Sequence, residues 1–246
     1  MAHLKNRTAI VTGASRGLGK TIAKLLAQNG ANVIINYATN LQQANEVVSE
    51  ITRSGGQAYA IQADISKPSA IASLFDQTID KYGKIDIVIN NAGIMIIKPT
   101  RDTTEEDFDK TFSVNTKSVF FSMKEASTKM VNNGRIINIS SSVTRVMFPG
   151  YGIYSASKSA IEQMTRVFAK EIGSKGITAN SVSPGPINTE LFLEGKSEEM
   201  IQRIAGMTAF NRIGETNDIA PLILFLASDE SQWITGQNFG ANGGMA

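Results

Sequence analysis

Apolar residues fall along this chain in two alternating rhythms. Short runs rich in β-branched and small apolar side chains occur at residues 7–12, 32–37, 58–62 and 85–90, and runs without a regular polar face predict strands buried on both sides. Between them the apolar positions recur at helical spacing. Ile22, Leu25 and Leu26 mark a helix over 20–29 that stops at Gly30, a second covers 41–54 and is closed by Gly55 and Gly56, and a third runs from about Pro68 to Tyr82 with Gly83 as its stop.

The alternation continues through the second half. Residues 105–130 predict one long helix or two abutting ones, 135–140 a fifth strand, 151–173 a long helix, and 177–183 a sixth strand stopped by Pro184 and Pro186. Residues 217–228 predict a helix that admits Pro221 only in its first turn, and 233–239 a seventh strand. Between Asn188 and Arg212 helical potential is confined to 197–204, flanked by Gly, Thr and Asn, which predicts a mobile flap over a site. No repeat or low-complexity linker interrupts the pattern. The expectation is one α/β domain over 1–246: a Rossmann-like, doubly wound, parallel seven-stranded sheet with helices on both faces and right-handed crossovers.

Composition narrows the function. The chain has 246 residues, 42% of them hydrophobic, and a formal charge of only +2 from 24 basic and 22 acidic side chains. Without a basic block there is no electrostatic case for nucleic acid or an anionic membrane as partner. The absence of cysteine removes disulfides, thiol nucleophiles and thiolate metal sites together. The single histidine, His3, falls in an expected flexible tail, which argues against a Ser-His-Asp triad and against a metal centre. Residues 1–5 lack the apolar core of a secretory leader and no run approaches the roughly 20 apolar residues of a bilayer span, so a cytoplasmic location is expected.

Candidate chemistry begins with Tyr154 and Lys158, four positions apart in a predicted helix and therefore on one face. An ammonium beside a phenol favours the phenolate, so the expectation is a tyrosine tuned downward from its usual pKa of about 10. Taken alone, the same spacing also describes a surface Tyr packed on a lysine stem. After the first strand comes Thr12-Gly13-Ala14-Ser15-Arg16-Gly17-Leu18-Gly19, opening into a helix. Such a loop lets backbone approach a pyrophosphate and sets it against free helix amides. No acidic residue lies between Lys20 and Glu46 to hold a ribose 2′-hydroxyl; Arg16, Asn36 and Thr39 supply donors suited to a 2′-phosphate instead, pointing to NADP(H) over NAD(H). Arg16 facing plain solvent is the bland alternative. Asn90-Asn91-Ala92-Gly93 and Asn138-Ile139-Ser140-Ser141-Ser142 gather polar groups at strand carboxyl ends, where open α/β sheets bind ligands.

These stretches, together with Asp64, Asn115 in Ser-Val-Asn-Thr, Ser141 thirteen residues before Tyr154, Tyr-Ser-Ala-Ser-Lys, Ser183-Pro184-Gly185-Pro186 with Thr189, and the closing Ile234-Thr235-Gly236-Gln237 and Asn242-Gly243-Gly244, resemble the short-chain dehydrogenase/reductase family from end to end. The resemblance implies a catalytic set of Asn115, Ser141, Tyr154 and Lys158. Tyr154 would give a proton to a carbonyl oxygen as nicotinamide delivers hydride, Ser141 would orient that oxygen, Lys158 would hold the nicotinamide ribose and depress the tyrosine pKa, and Asn115 would hold a helix-breaking geometry and a water. It also implies NADP(H) contacts. Gly13, Ser15, Arg16, Gly17, Leu18 and Gly19 would cradle the phosphates, with Asn36, Tyr37 and Thr39 at the ribose of the adenosine. Asp64 and Ile65 would hold adenine, Asn91, Ala92 and Gly93 would pack along the adenosine side, and Pro184, Gly185, Ile187 and Thr189 would complete the nicotinamide end.

Ile94, Met95, Val143, Met147, Tyr151, Pro186, Leu191 and Phe192 flank this chemistry and favour an apolar or aromatic carbonyl substrate. Asn36-Tyr37, Pro184-Gly185-Pro186 and residues 194–200 resemble NADPH-dependent aldehyde reductase-like members most, with 3-oxoacyl-acyl-carrier-protein reductases next and a non-catalytic NADP(H) sensor as a further alternative. The resemblance implies a homotetramer or homodimer joined through 105–130, 151–173 and 233–244.

Overall fold

The computed structural model describes residues 4–246, so the expected tail position of His3 lies outside the described residues. The first half alternates as β1 (Thr8–Val11), α1 (Gly17–Gln28), β2 (Asn32–Tyr37), α2 (Leu41–Arg53), β3 (Gln57–Gln62), α3 (Pro68–Tyr82) and β4 (Ile87–Asn90). Then come α4 (Glu105–Phe112), one π turn (Ser113–Lys117), α5 (Ser118–Lys129), β5 (Arg135–Ile139), the short α6 (Val143–Val146) and the long α7 (Gly152–Ile172). β6 (Thr178–Pro184), α8 (Glu190–Leu193), α9 (Glu198–Ala205), α10 (Thr216–Ala227) and β7 (Asn238–Ala241) complete the chain.

All seven strands are parallel, in the order β3-β2-β1-β4-β5-β6-β7. The strands are apolar on both faces because both faces are covered. Val11, Ile35 and Ile89 pack with Ile22 and Leu26 of α1 and Ile223 of α10, whereas their neighbours Ile10, Ile34 and Val88 point the other way, against Leu74, Phe75, Val119, Ile161 and Phe168. Strand order reverses between β1 and β4. Their carboxyl ends therefore splay apart and open a crevice there, which decides where a ligand can lie.

Two elements depart from expectation. Pro221 is not in a first turn: α10 begins at Thr216, where the Glu215 amide donates to Asp218 Oδ2 at 2.7 Å, so the proline sits six residues in. The missing N–H leaves one helical bond unmade, and the helix persists because Ile219, Ala220, Ile223, Leu226 and Ala227 are buried on the sheet. The seventh strand begins at Asn238 instead of residue 233. Gly236, at φ +70°, turns the chain after a 96% exposed Trp233, and Ile234 and Thr235 meet β6 through Asn180 and the Ala179 amide before the ladder starts. Of the two readings for 105–130, the structure has the two abutting helices, joined by the π turn. In the segment 188–212, the predicted helix at 197–204 is α9, with Ser197 accepting from the Met200 amide at 3.2 Å as its N-cap.

Candidate active site

The crevice is a cleft of about 580 Å³ that runs from Thr39 and Asp64, past the Gly-rich loop, to Tyr154 and Leu191. Its floor is stitched by side chains at strand ends. Thr12 Oγ1 accepts from the amides of Asn91 and Ala92 at 2.9 and 3.0 Å, and Asn91 Nδ2 donates back to the Thr12 carbonyl at 2.9 Å. These bonds tie the end of β1 to the end of β4. Gly19, at the start of α1, lies so close beneath them that a Cβ there would fall 2.5 Å from both Asn91 Nδ2 and the Gly13 carbonyl oxygen. Gly17, at φ +52°, makes the sharp entry into the helix without the cost a side chain would bring.

At the adenosine end, Tyr37, Thr39, Asp64 and Ile65 line the cleft. Asn36 does not. It is 2% exposed, its Oδ1 accepts from the Gly13 amide at 3.3 Å, and its Nδ2 donates to the Ala63 carbonyl at 3.1 Å. Its donors are consumed in bracing β1 against β3, so the expected contact to a 2′-phosphate is withdrawn. Arg16 lines the cleft at 62% side-chain exposure and is ion-paired with Glu190 of α8 at 2.6 Å, rather than facing plain solvent. Asp64 accepts from the Ser66 hydroxyl at 2.7 Å, a bond that holds its carboxyl below the usual range.

At the other end α7 presents Tyr154 and Lys158, both buried, with the ammonium 5.9 Å from the centre of the phenol ring. Lys158 Nζ donates to the Ile139 carbonyl at 2.9 Å. Desolvation dominates both groups. It pushes Tyr154 up to about 12, only partly offset by a hydrogen bond with Ser141, and brings Lys158 down to about 8. The direction at Tyr154 is opposite to the downward tuning expected from the Tyr-Lys spacing, and burial is its main cause. Tyr154 is therefore protonated at neutral pH, as an ordinary tyrosine also is.

Asn115 sits fully buried in the middle of the π turn. Its Oδ1 accepts from the Ile94 amide and its Nδ2 donates to the Ile94 carbonyl, both at 2.9 Å, and Nδ2 also donates to Ser157 Oγ at 3.0 Å. Ser157 in turn donates to the Tyr154 carbonyl at 2.7 Å. The π turn therefore links the loop after β4 to the helix that carries Tyr154. Ser157 and Thr12 escaped the sequence-based selection, although polar residues at a strand end and beside the tyrosine were signals of both.

The structure also separates three neighbouring hydroxyls. Ser140 donates to Glu162 Oε1 at 2.8 Å, Ser142 heads α6, and Ser141 is the one bonded to Tyr154. Glu162, one turn beyond Lys158 on α7, also accepts from Thr144 at 2.9 Å and Ser183 at 3.2 Å. No sequence signal singled it out. Ala92, Gly93, Pro184, Gly185, Ile187 and Thr189 line the cleft opposite α7, with Thr189 accepting from the Phe192 amide at 3.3 Å to cap α8. Ser15, Leu18, Met95, Val143, Tyr151, Leu191 and Phe192 also line it. Met147 does not: at φ +57° it caps α6 and turns outward, 74% exposed, because the left-handed cap reverses the chain there. Among the described residues no group of three or more His, Cys, Asp or Glu is placed to hold a metal.

Comparison with known proteins accords with this geometry. A family model described as Enoyl-(Acyl carrier protein) reductase matches residues 13–246. An Arabidopsis thaliana protein named NADPH-dependent aldehyde reductase-like protein, chloroplastic, is 46% identical over 98% of this chain and 94% of its own. A short-chain dehydrogenase/reductase structure from Serratia marcescens superposes with a TM-score of 0.95 at 36% identity, covering 99% of each chain. The angucycline C-6 ketoreductase LanV, solved with bound NADP, gives a TM-score of 0.94 at 37% identity, covering 99% of this chain and 96% of its own. With the match spanning nearly the whole sequence, the chain belongs to the short-chain dehydrogenase/reductase family of oxidoreductases.

Proposed function

We propose that this protein reduces an aldehyde or ketone to an alcohol at the expense of NADPH, with Tyr154 as the proton donor. The observation that carries the proposal is the buried Tyr154 at the end of the cleft, bonded with Ser141 and with the Lys158 ammonium 5.9 Å from its ring centre. A carbonyl oxygen placed against both hydroxyls would receive the Tyr154 proton as negative charge develops on it. Lys158, still charged at pH 7, would stabilise the phenolate left behind. Asn115 positions rather than reacts, through its bonds to Ile94 and Ser157.

The cleft suits a dinucleotide. Backbone at Gly13 and Gly17 leaves room for a pyrophosphate at the start of α1, Asp64 and Ile65 offer an adenine edge, and Pro184, Gly185, Ile187 and Thr189 form a ledge beside Tyr154. Bound there, NADPH supplies the hydride. Arg16 and Thr39 would take the 2′-phosphate, and the names of the Arabidopsis relative and of the LanV complex support NADP(H). Arg16 must leave Glu190 to do so, which costs little because an exposed ion pair is worth about 0–1 kcal/mol. Arg16→Ala is expected to weaken NADPH binding about tenfold, the scale of one charge-assisted hydrogen bond, and to leave NADH binding unchanged. Fluorescence titration with each cofactor checks this.

The apolar wall of Met95, Val143, Phe148, Leu191 and Phe192 supports a hydrophobic substrate, with 3-oxoacyl thioesters as second choice. Purified protein with NADPH or NADH and a panel of aldehydes, ketones, diketones and an acetoacetyl thioester tests activity, cofactor and substrate together. NADPH binding with no turnover across the panel would favour a cofactor sensor.

The segment 188–212, carrying α8 and α9, would serve as a flap over this wall, and a cytoplasmic location belongs to the same proposal. Among the described residues no helix is long and apolar enough to cross a membrane. Assembly as a homodimer or homotetramer is proposed from exposed Phe108, Phe120 and Val167 on α4, α5 and α7 and from Trp233 before β7. Light scattering is expected to give a mass two or four times 26.4 kDa; a monomer at micromolar concentration contradicts it.

A further inference from the structure

Tyr151 precedes α7 by one residue and one helical turn before Tyr154. Its ring is fixed on two sides, with Phe148 at 5.7 Å between ring centres and Tyr154 at 6.4 Å in an edge-on contact. It is 7% exposed and packs with Val143, Met95 and Phe148. A buried phenol ordinarily finds a hydrogen-bond partner. The hydroxyls around it have theirs: Ser155 donates to the Val143 carbonyl at 3.2 Å, Ser157 to the Tyr154 carbonyl at 2.7 Å, and Ser141 is joined to Tyr154. No hydrogen bond involves the Tyr151 hydroxyl among the described residues. Nor is it among the side-chain atoms sealed from solvent without a partner, and Tyr151 lines the cleft.

The rest of the wall explains what such a group is for. Met95, Val143, Phe148, Leu191 and Phe192 offer a substrate no polar side-chain group, while Tyr154 and Ser141 are committed to one oxygen atom. A neutral donor in an apolar wall discriminates by what happens when it is left unpaired. A ligand without a matching oxygen buries the hydroxyl dry, whereas one with a second oxygen satisfies it. Burial keeps Tyr151 neutral, so it acts as a hydrogen-bond donor and takes no charge itself. The two rings are neighbours, 6.4 Å apart between centres, and both line the same end of the cleft.

We propose that the Tyr151 hydroxyl is a second recognition point for substrate, donating to an oxygen other than the one Tyr154 protonates, so that oxygenated carbonyls such as diketones and hydroxyketones are preferred to plain ones. The inference rests on the reductase proposal only for which oxygen reacts.

Two matched pairs test it: 1-phenylpropane-1,2-dione with phenylacetone, and 1-phenylbutane-1,3-dione with 4-phenylbutan-2-one. Affinity is measured by calorimetry with NADP⁺ present, which cannot reduce a ketone, on the native protein and on Tyr151→Phe. Comparing the same four compounds on both proteins cancels their intrinsic reactivity. In Tyr151→Phe the dicarbonyl of at least one pair is expected to bind roughly 3- to 10-fold more weakly, the range of one neutral hydrogen bond, while its monocarbonyl partner is unchanged. The melting temperature is expected to stay the same, because the hydroxyl has no partner in the protein. Equal change, or no change, for both members of both pairs overturns the proposal. Turnover of the same compounds with NADPH is recorded separately: a selective loss of dicarbonyl affinity in protein that reduces none of them would uphold the Tyr151 contact and reject the reductase function.

Discussion

Tyr154→Phe is expected to lower kcat for carbonyl reduction about 10²- to 10⁴-fold, the usual yield of a positioned general acid, while NADPH affinity stays within about twofold. The substitution removes one oxygen and leaves the ring packed between Tyr151 and Lys158. Ser141 loses its partner on Tyr154 but still accepts from the Val143 amide at 3.4 Å, so the loop after β5 keeps its shape. Single-turnover rates with fluorescence titration separate the two effects. Equal losses of affinity and turnover would remove the assigned role.

The pH profile adds an independent reading of the same pair. Because Tyr154 stays protonated up to about 12, the reduction rate should not fall near the ordinary tyrosine value of about 10 on that account. The limb belongs to Lys158, whose ammonium discharges near 8, and the rate is expected to decline from there upward. Linkage gives the companion sign. Between about 8 and 10.5 the unfolded chain holds a proton on this lysine that the folded chain has released, so this group makes the fold more stable as pH rises through that window.

Gly19→Ala is the second large effect expected. The added methyl would sit 2.5 Å from Asn91 Nδ2 and from the Gly13 carbonyl oxygen, and 3.1 Å from Ala14 Cα. None of these can move freely, since Asn91 is bonded to Thr12 and Gly13 and two of the three atoms are backbone. Overpacking of this kind costs about 1–3 kcal/mol. At roughly 2–4 °C per kcal/mol for a chain of this size, a melting temperature lower by about 2–12 °C is expected. NADPH binding should weaken at least about tenfold, because the strain falls on the amides that would face the pyrophosphate. Gly173→Ala, in α-helical geometry with no atom within 4 Å of its added methyl, is the control and should melt with the native protein.

The sheet was legible because every strand obeys one rule. Ile10 and Val11, or Ile34 and Ile35, are adjacent apolar residues that only a doubly covered sheet can bury. The Tyr154–Lys158 pairing was legible for a similar local reason, as four residues of helix fix it. What resisted reading depends on partners distant in sequence. Asn36 looks like a free donor until the Gly13 amide and the Ala63 carbonyl arrive on either side of it. Arg16 meets Glu190 across 174 positions, and Glu162 gathers hydroxyls from three separate elements. Pro221 and Trp233 erred in the opposite direction. Propensity excluded the proline from a helix interior that tertiary burial maintains, and an aromatic start suggested a strand where Gly236 imposes a turn.

The Glu162 node has a mechanical consequence for the cleft. Ser140 and Thr144 lie on the stretch that carries Ser141, and Ser183 lies on the stretch that leads to Gly185. One carboxylate oxygen therefore clamps the wall that carries Ser141 and the ledge that would carry nicotinamide to a single point on α7. Those two surfaces cannot spread independently. A bulky substrate would find its room on the opposite rim, where α8 is joined to the Gly-rich loop by a surface ion pair, so in the proposed reaction the stiff side would set the angle of attack while the soft side accepts the differences in size.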